Sequence, residues 1–346
     1  MPRLSHLRAL ALRHSARAWG GAWRGGFDLL RWRRRAARET RPLVAIVLLE
    51  HLGDIVACEP VIRHLRQASP RAFLVWVCLP AYREVLAGHP DLDAVLTVPC
   101  LGAWARLRRW PVLDREVNLH FHGKECPYCR RPIPNPGGDV SITTDTYYLE
   151  GRPLLAAFCR AAGLPVLADA PRLAVPASAR VRVARLGLPA RYVVIHARSN
   201  NSERDWRPER WRELAGAIPR LLGVAVVEVG LAPVVPQPAP AGYRSLCGQL
   251  SLLETAAVLA QADLFVGIDS GPAHLANALR VPGVLLLGRF RHFEAYLPYT
   301  GFYAGVGAEV VRTTGSVADL EVAAVQAAVQ RQLAGFASRP PGGTAG

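Results

Sequence analysis

Unbroken apolar runs of strand length recur along the chain and alternate with stretches of helical period. Leu43–Leu49 (Leu-Val-Ala-Ile-Val-Leu-Leu), Ala72–Leu79 and Asp93–Val98 come first. Helical spacing follows the first of them through Ile55, Val61, Ile62 and Leu65, and the second over Tyr82–Gly88. Runs this continuous are expected of parallel strands covered on both faces. Residues 99–150 are less regular, and a helix resumes over 153–163. After a proline-rich stretch the alternation returns. Tyr192–His196, Val224–Val229, Leu264–Ile268 and Val284–Leu287 read as strands, with helices over Arg207–Leu222, Leu252–Ala260 and Pro272–Leu279. Strand and helix in strict alternation, punctuated by Gly and Pro, predict an open α/β sheet. Ligands of such sheets meet the loops at the carboxyl ends of the strands.

Pro165, Pro171, Pro176 and Pro189 mark the crossing between two halves of similar size, with a ligand-binding cleft expected between them. The expected organisation is a segment over residues 1–41, domains over 42–175 and 190–315, a C-terminal helix within 316–337 and a disordered tail over 338–346.

Charge changes the picture at one end. The net charge is +15. Residues 1–41 hold eleven arginines against two acids, Asp28 and Glu39, a net of +9. The rest is only mildly basic, which argues against a nucleic-acid partner. Trp19, Trp23, Phe27 and Leu30 share one helical face beside these arginines, as a helix lying on an anionic membrane surface would require. Gly20, Gly21, Gly25 and Gly26 each weaken such a helix by roughly 1 kcal/mol. A basic tail without structure, or a helix docked on the protein's own body, are the competing readings. No run approaches the ~20 apolar residues that span a bilayer, and arginines interrupt any secretory signal. A cytoplasmic protein, peripheral at the inner face of the membrane, is expected. Seven cysteines without an export signal predict no disulfide framework, and Cys58, Cys78 and Cys159 read as buried small hydrophobes. Only one lysine occurs, Lys124, so an arginine in place of a lysine carries little meaning elsewhere in the chain.

Three strand-end loops carry the candidate chemistry. The first, Glu50-His51-Leu52-Gly53-Asp54, sets a carboxylate beside a glycine, where backbone can approach a ligand closely. The second, from His196 to Trp206, is rich in hydroxyl, amide and guanidinium donors suited to sugar and phosphate oxygens. The third, Gly267-Ile-Asp-Ser-Gly-Pro-Ala-His274, is a strand-to-helix junction of the kind that holds phosphate or diphosphate. A carboxylate in one half and a diphosphate site in the other fit sugar transfer from a nucleotide sugar. The base deprotonates an acceptor hydroxyl, and cations and N–H groups stabilise the departing diphosphate. Asp54 as a helix cap, Arg204 as a surface charge and His274 as a core histidine are the structural alternatives. His120, His122, Cys126 and Cys129 hold zinc-ligand chemistry, but a second ligand pair at longer spacing is missing, so no metal is predicted and an acceptor-facing loop is preferred. No Gly-x-Gly-x-x-Gly follows the first strand, which disfavours a nicotinamide dehydrogenase.

Three motifs in order resemble the family 9 glycosyltransferases, which include ADP-heptose:lipopolysaccharide heptosyltransferases. They are Leu48–Pro60 with its Gly53-Asp54, His196–Trp211 with Trp206-Arg-Pro-Glu-Arg-Trp, and Phe265–Ala276 with Val281–Gly288, so the resemblance covers roughly residues 42–290. It implies a GT-B fold of two Rossmann-like domains facing across a cleft and an inverting transfer that needs no metal or other cofactor. By position, Asp54 matches the family's general base, with Glu50, His51 and Gly53 as acceptor or loop support. Arg204 falls where the family usually has a lysine on the donor diphosphate. Ser199 and Asn200 fall near its hydroxyl donors, and Asp269, Ser270, Gly271 and His274 match its donor loop. The implied partners are a nucleotide sugar, with ADP-heptose first in line, and a glycolipid acceptor. Two departures bear on the donor: Leu48 stands where a basic residue often opens the first motif, and Gly230-Leu-Ala-Pro replaces a loop that often carries an acid.

Overall fold

The computed structural model describes residues 20, 24–126, 132, 135, 137–143, 146, 153–290 and 296–337. Trp19, Trp23, Cys129 and the segment 338–346 lie outside the described residues. The chain divides into two compact units, Met1–Asp169 and Ala170–Gly346.

The first unit is built on a parallel sheet of β1 (Leu43–Val47), β2 (Phe73–Cys78), β3 (Ala94–Thr97) and β4 (Arg115–Asn118), in the order β3-β2-β1-β4. Every residue of β1 and β2 is buried, which is why these strands are apolar without alternation. Alternate residues serve opposite faces. Leu43, Ala45, Val47, Phe73, Val75 and Val77 pack with α1 (residues 24–38) and α5 (Leu101–Leu107). Val44, Ile46, Leu74 and Trp76 pack with α2 (Leu52–Ala57), α3 (Glu59–Ala68) and α6 (Leu154–Ala161). A short helix α4 (Arg83–Ala87) precedes β3. Cys58, Cys78 and Cys159 are buried in this core, as expected.

Helix α1 is docked on the unit's own body. Leu29 and Ala36 are fully buried, and a Cβ built on Gly26 would lie 2.6 Å from the Trp110 ring. Gly25 and Gly26, two of the glycines expected to weaken this helix, are what let it pack closely. The apolar stripe read from the sequence is divided: Leu30 packs against the core, whereas Phe27 is 68% exposed.

The second unit is a six-stranded parallel sheet of β5 (Tyr192–His196), β6 (Ala225–Glu228), β7 (Tyr243–Ser245), β8 (Leu264–Ile268), β9 (Gly283–Leu287) and β10 (Ala308–Arg312). Its order, β10-β9-β8-β5-β6-β7, is that of the Rossmann fold. Helices α7 (Ala177–Ala184), α8 (Pro208–Leu222), α9 (Leu252–Leu259), α10 (Gly271–Ala278) and α11 (Val322–Ala337) complete it. α7 falls in the stretch expected to be a proline-rich crossing; Pro176 caps its start rather than preventing it. In this unit the topological switch point lies between β5 and β8, and in the first unit between β1 and β4.

Candidate active site

The carboxyl ends of β5 and β8 bring the second and third candidate loops together. Asp269, the first residue beyond β8, is only 6% exposed. Its Oδ2 accepts a hydrogen bond from Arg204 Nη1 at 2.9 Å, and its Oδ1 accepts from the Tyr299 hydroxyl at 3.2 Å. His274 Nε2 stands 3.9 Å from the same Oδ1, and its ring lies 4.5 Å from that of Tyr299. Arg204 also donates through Nη2 to Asn200 Oδ1 at 2.6 Å and lies over the Phe290 ring, 5.2 Å from its centroid. A guanidinium held by two acceptors and a ring face is fixed in direction, which a flexible surface charge is not.

The loop that presents Arg204 is ordered by its own polar side chains. Asp205 Oδ1 accepts from the Ser199 N–H at 2.7 Å, the Ser199 hydroxyl donates to the Asn201 carbonyl, and Asn201 Oδ1 accepts from the Glu203 N–H at 3.0 Å. Trp206 anchors its far end, with Nε1 donating to the Leu320 carbonyl at 2.8 Å and its ring packed edge-on against Trp211. Ser199 and Asn200, expected to contact the donor, also shape this loop: the Ser199 hydroxyl donates to the Asn201 carbonyl and the Asn200 oxygen accepts from Arg204.

At the start of α10 the donor inventory is smaller than the sequence suggests. Pro272 has no N–H, and the Ala273 and His274 N–H groups turn back on the Ser270 carbonyl at 3.1 and 3.3 Å. Ser270 occupies the N-cap position with extended backbone, yet its hydroxyl makes no capping bond. Among the described residues, its Oγ and the His274 Nδ1 are buried polar atoms without a hydrogen-bond partner. Native proteins leave few such atoms, so their concentration beside Arg204 and Asp269 points to a ligand that would satisfy them. Burial pushes the His274 pKa down to about 4, opposed by Asp269 and assisted by Arg204, so the ring is neutral at pH 7. His196, at the end of β5, is likewise pushed to about 4 by burial, and its Nδ1 is also without a partner.

Tyr299, Phe290, Arg198 and Arg289 belong to this edge and were not singled out from the sequence. Arg198 and Arg289 are exposed just beyond β5 and β9, whose ends flank β8 and add positive charge around the pair. The loop after β6 has no acid of its own. Its form comes from buried Glu228, which accepts from the Val234 N–H at 2.8 Å and from the Tyr243 hydroxyl, and Leu231 is left 96% exposed.

In the first unit, Asp54 is the third residue of α2. Its Oδ2 accepts from the His51 N–H at 2.9 Å, so it does cap the helix as the structural alternative proposes. Glu50 pairs with Lys124 Nζ at 2.9 Å, Gly53 is buried and His51 is exposed. His120 is committed to structure. Its Nε2 accepts from the Leu49 N–H at 3.0 Å, which leaves the ring proton on Nδ1, 2.9 Å from Asn118 Oδ1. Burial lowers its pKa to about 4. His122 is exposed, Cys126 is buried, and among the described residues no group of three or more His, Cys, Asp or Glu side chains is arranged to hold a metal.

Residues 155–308, which include Arg204 and Asp269, match the family model described as glycosyltransferase family 9 (heptosyltransferase). The fold is similar to that of a family 9 glycosyl transferase from Veillonella parvula DSM 2008, at 20% identity over 85% of this chain and 97% of that one, with a TM-score of 0.67. It is also similar to the E. coli ADP-heptose lps heptosyltransferase II, at 18% identity over 86% and 100% of the two chains, TM-score 0.63. The E. coli heptosyltransferase WaaC with ADP-2-deoxy-2-fluoro heptose matches at 19% identity over 84% and 99%, TM-score 0.56. Among curated protein sequences, none matches the chain. Residues 155–308 thus match the model of a glycosyltransferase family 9 domain, and the chain has the fold of these glycosyltransferases, two Rossmann-like domains.

Proposed function

We propose that the protein moves a sugar of the heptose class from a nucleotide-diphosphate donor to a lipopolysaccharide-core-type or other glycolipid acceptor, with inversion and without a metal. The observation that carries this reading is the Arg204–Asp269 pair, at the switch point of a family 9 domain, beside the unpartnered Ser270 hydroxyl. Arg204 carries five N–H donors, with Nη1 directed to Asp269 and Nη2 to Asn200. It supplies the positive charge for the diphosphate, and the Ser270 hydroxyl supplies a hydrogen bond. Asp54 of the first domain takes the proton of the acceptor hydroxyl as its oxygen bonds to the anomeric carbon. The bond from that carbon to the diphosphate breaks through an oxocarbenium-like state, and the configuration inverts. The ADP-heptose named for the E. coli proteins is the first donor to test. The experiment is transfer from ADP-heptose to a lipid A core acceptor, with Asp54→Asn beside wild type. Wild-type turnover by Asp54→Asn would remove Asp54 from the base role, and turnover with another nucleotide sugar alone would reassign the donor.

The same reading locates the protein in the cytoplasm, peripheral at an anionic membrane surface, with residues 1–41 as the contact. Support comes from α1. Arg24, Phe27, Arg31, Arg34 and Arg38 recur at i, i+3, i+7, i+10 and i+14, along one exposed face opposite buried Leu29 and Ala36. Among the described residues, no carboxylate pairs with these four arginines, whereas Arg33 and Arg35 are paired with Asp114 and Glu39. No described helix is long and apolar enough to cross a membrane.

A further inference from the structure

The chain carries a single lysine among 42 basic residues, and it stands at the switch point of the first unit. β1 and β4 are neighbours there, and their outgoing strand ends are tied three times. The Leu119 N–H donates to the Val47 carbonyl at 3.0 Å, the Leu49 N–H donates to His120 Nε2 at 3.0 Å, and Glu50 meets Lys124 Nζ at 2.9 Å. The outermost tie is the ion pair, with the Glu50 side chain 15% exposed and that of Lys124 38%. Helix α2 begins two residues after Glu50, and its third residue is Asp54, held to the His51 N–H.

From this juxtaposition we infer that Lys124 is a positioning residue, which commits Glu50 to the junction so that the loop's two carboxylates do different work. Glu50 is bound across the switch point and fixes where α2 starts; Asp54 is presented by the first turn that follows. An arginine fork delivers planar, paired bonds, whereas an ammonium delivers a compact point charge to one carboxylate oxygen. That difference gives a reason for lysine here in a chain that otherwise uses arginine. Without Lys124, a mostly buried carboxylate would be left unpaired, and it would turn toward solvent and draw the start of α2 with it. The inference rests on Asp54 as the general base.

The test combines kinetics with amine chemistry. Lys124→Met should lower kcat about tenfold while the donor KM stays close to wild type, because misplacement of the base acts on the chemical step. Glu50→Gln added to Lys124→Met should restore most of the loss, and Lys124→Arg should retain more activity than Lys124→Met. A loss that Glu50→Gln does not relieve, or wild-type kcat in Lys124→Met, overturns the inference. An acceptor KM that rises without relief would make Lys124 an acceptor contact instead and also overturns it. Since Lys124 is the only side-chain amine, acetylation followed by mass spectrometry reports the pair without any turnover. Glu50→Gln should raise its acetylation rate severalfold, and an unchanged rate refutes the pairing. If acetylation shows the pair while Asp54→Asn is fully active, the base assignment falls and the pairing stands.

Discussion

Arg204 donates to Asp269 across 65 residues of sequence at 2.9 Å, with the two side chains only 16% and 8% exposed. The pair spans the switch point between β5 and β8, so it is at once a structural tie and the charged centre of the proposed donor site. Breaking a pair this buried by removing one partner leaves the other charge uncompensated, at a cost of about 3 kcal/mol. Arg204→Met should therefore lower the melting temperature and raise the donor KM together. Arg204→Lys keeps the charge but cannot serve Asp269, Asn200 and the Phe290 face at once. It should regain part of the stability and little of the donor affinity. Thermal unfolding beside a donor titration measures both.

Acid should destabilise the fold in a defined window. His120, His196 and His274 are each pushed down to about 4 by burial, from an ordinary value of 6.5. Between those two values the unfolded chain holds protons that the folded chain refuses, so stability rises with pH across the window. Going down in pH, the loss begins as the unfolded histidines protonate near 6.5 and levels off below about 4. At pH 5 unfolding should take up about one proton fewer in His274→Asn than in wild type. The dependence of the unfolding free energy on pH gives that number directly.

The sequence showed the centre of each sheet more clearly than its edges, for a physical reason. β1, β2, β5, β8 and β9 are covered on both faces and read as nearly continuous apolar runs. The strands that escaped notice, β4 (Arg-Glu-Val-Asn), β7 (Tyr-Arg-Ser) and β10 (Ala-Glu-Val-Val-Arg), are all edge strands, half exposed and polar. Helix α7 was hidden by the prolines around it and by a weakly sided pattern that leaves Val181 exposed. In the site, Arg204, Asp269 and His274 were found as members but not as partners. Tyr299 and Phe290 gave no signal at all, because an aromatic in an irregular loop has no period to mark which way it points.

Gly288 should not tolerate a side chain. A Cβ there would lie 2.6 Å from the Val317 nitrogen and 2.8 Å from the Gly315 carbonyl oxygen, both backbone atoms that cannot swing aside. Gly288→Ala must then displace either the end of β9 or the segment 315–317, at a cost of about 2 kcal/mol. Arg289 donates its N–H to that same Gly315 carbonyl at 2.7 Å, and Phe290 follows beneath the Arg204 guanidinium. The variant should accordingly weaken donor binding as well as stability, read out by denaturant unfolding and donor titration. A loss of stability with wild-type donor affinity would show that β9 holds its place and the 315–317 segment moves.

The exposed face of α1 makes the most direct prediction about location. An arginine near an anionic bilayer contributes about 1 kcal/mol each. Replacing Arg24, Arg31, Arg34 and Arg38 together with Gln should therefore reduce binding to phosphatidylserine-containing vesicles by about a hundredfold or more. Binding to purely zwitterionic vesicles should be weak in both proteins, and raised salt should weaken the wild-type interaction but barely change the variant. Phe27→Ala should reduce vesicle binding by a smaller factor that salt does not alter, since a ring at the interface acts through burial. None of these side chains is in the core, whereas Leu29 and Ala36 on the opposite face hold α1 to β1 and β2. The melting temperature should therefore be unchanged, which separates loss of the contact from loss of the fold. Vesicle co-sedimentation decides the matter: a quadruple variant that sediments like wild type would mean that α1 does not face the membrane.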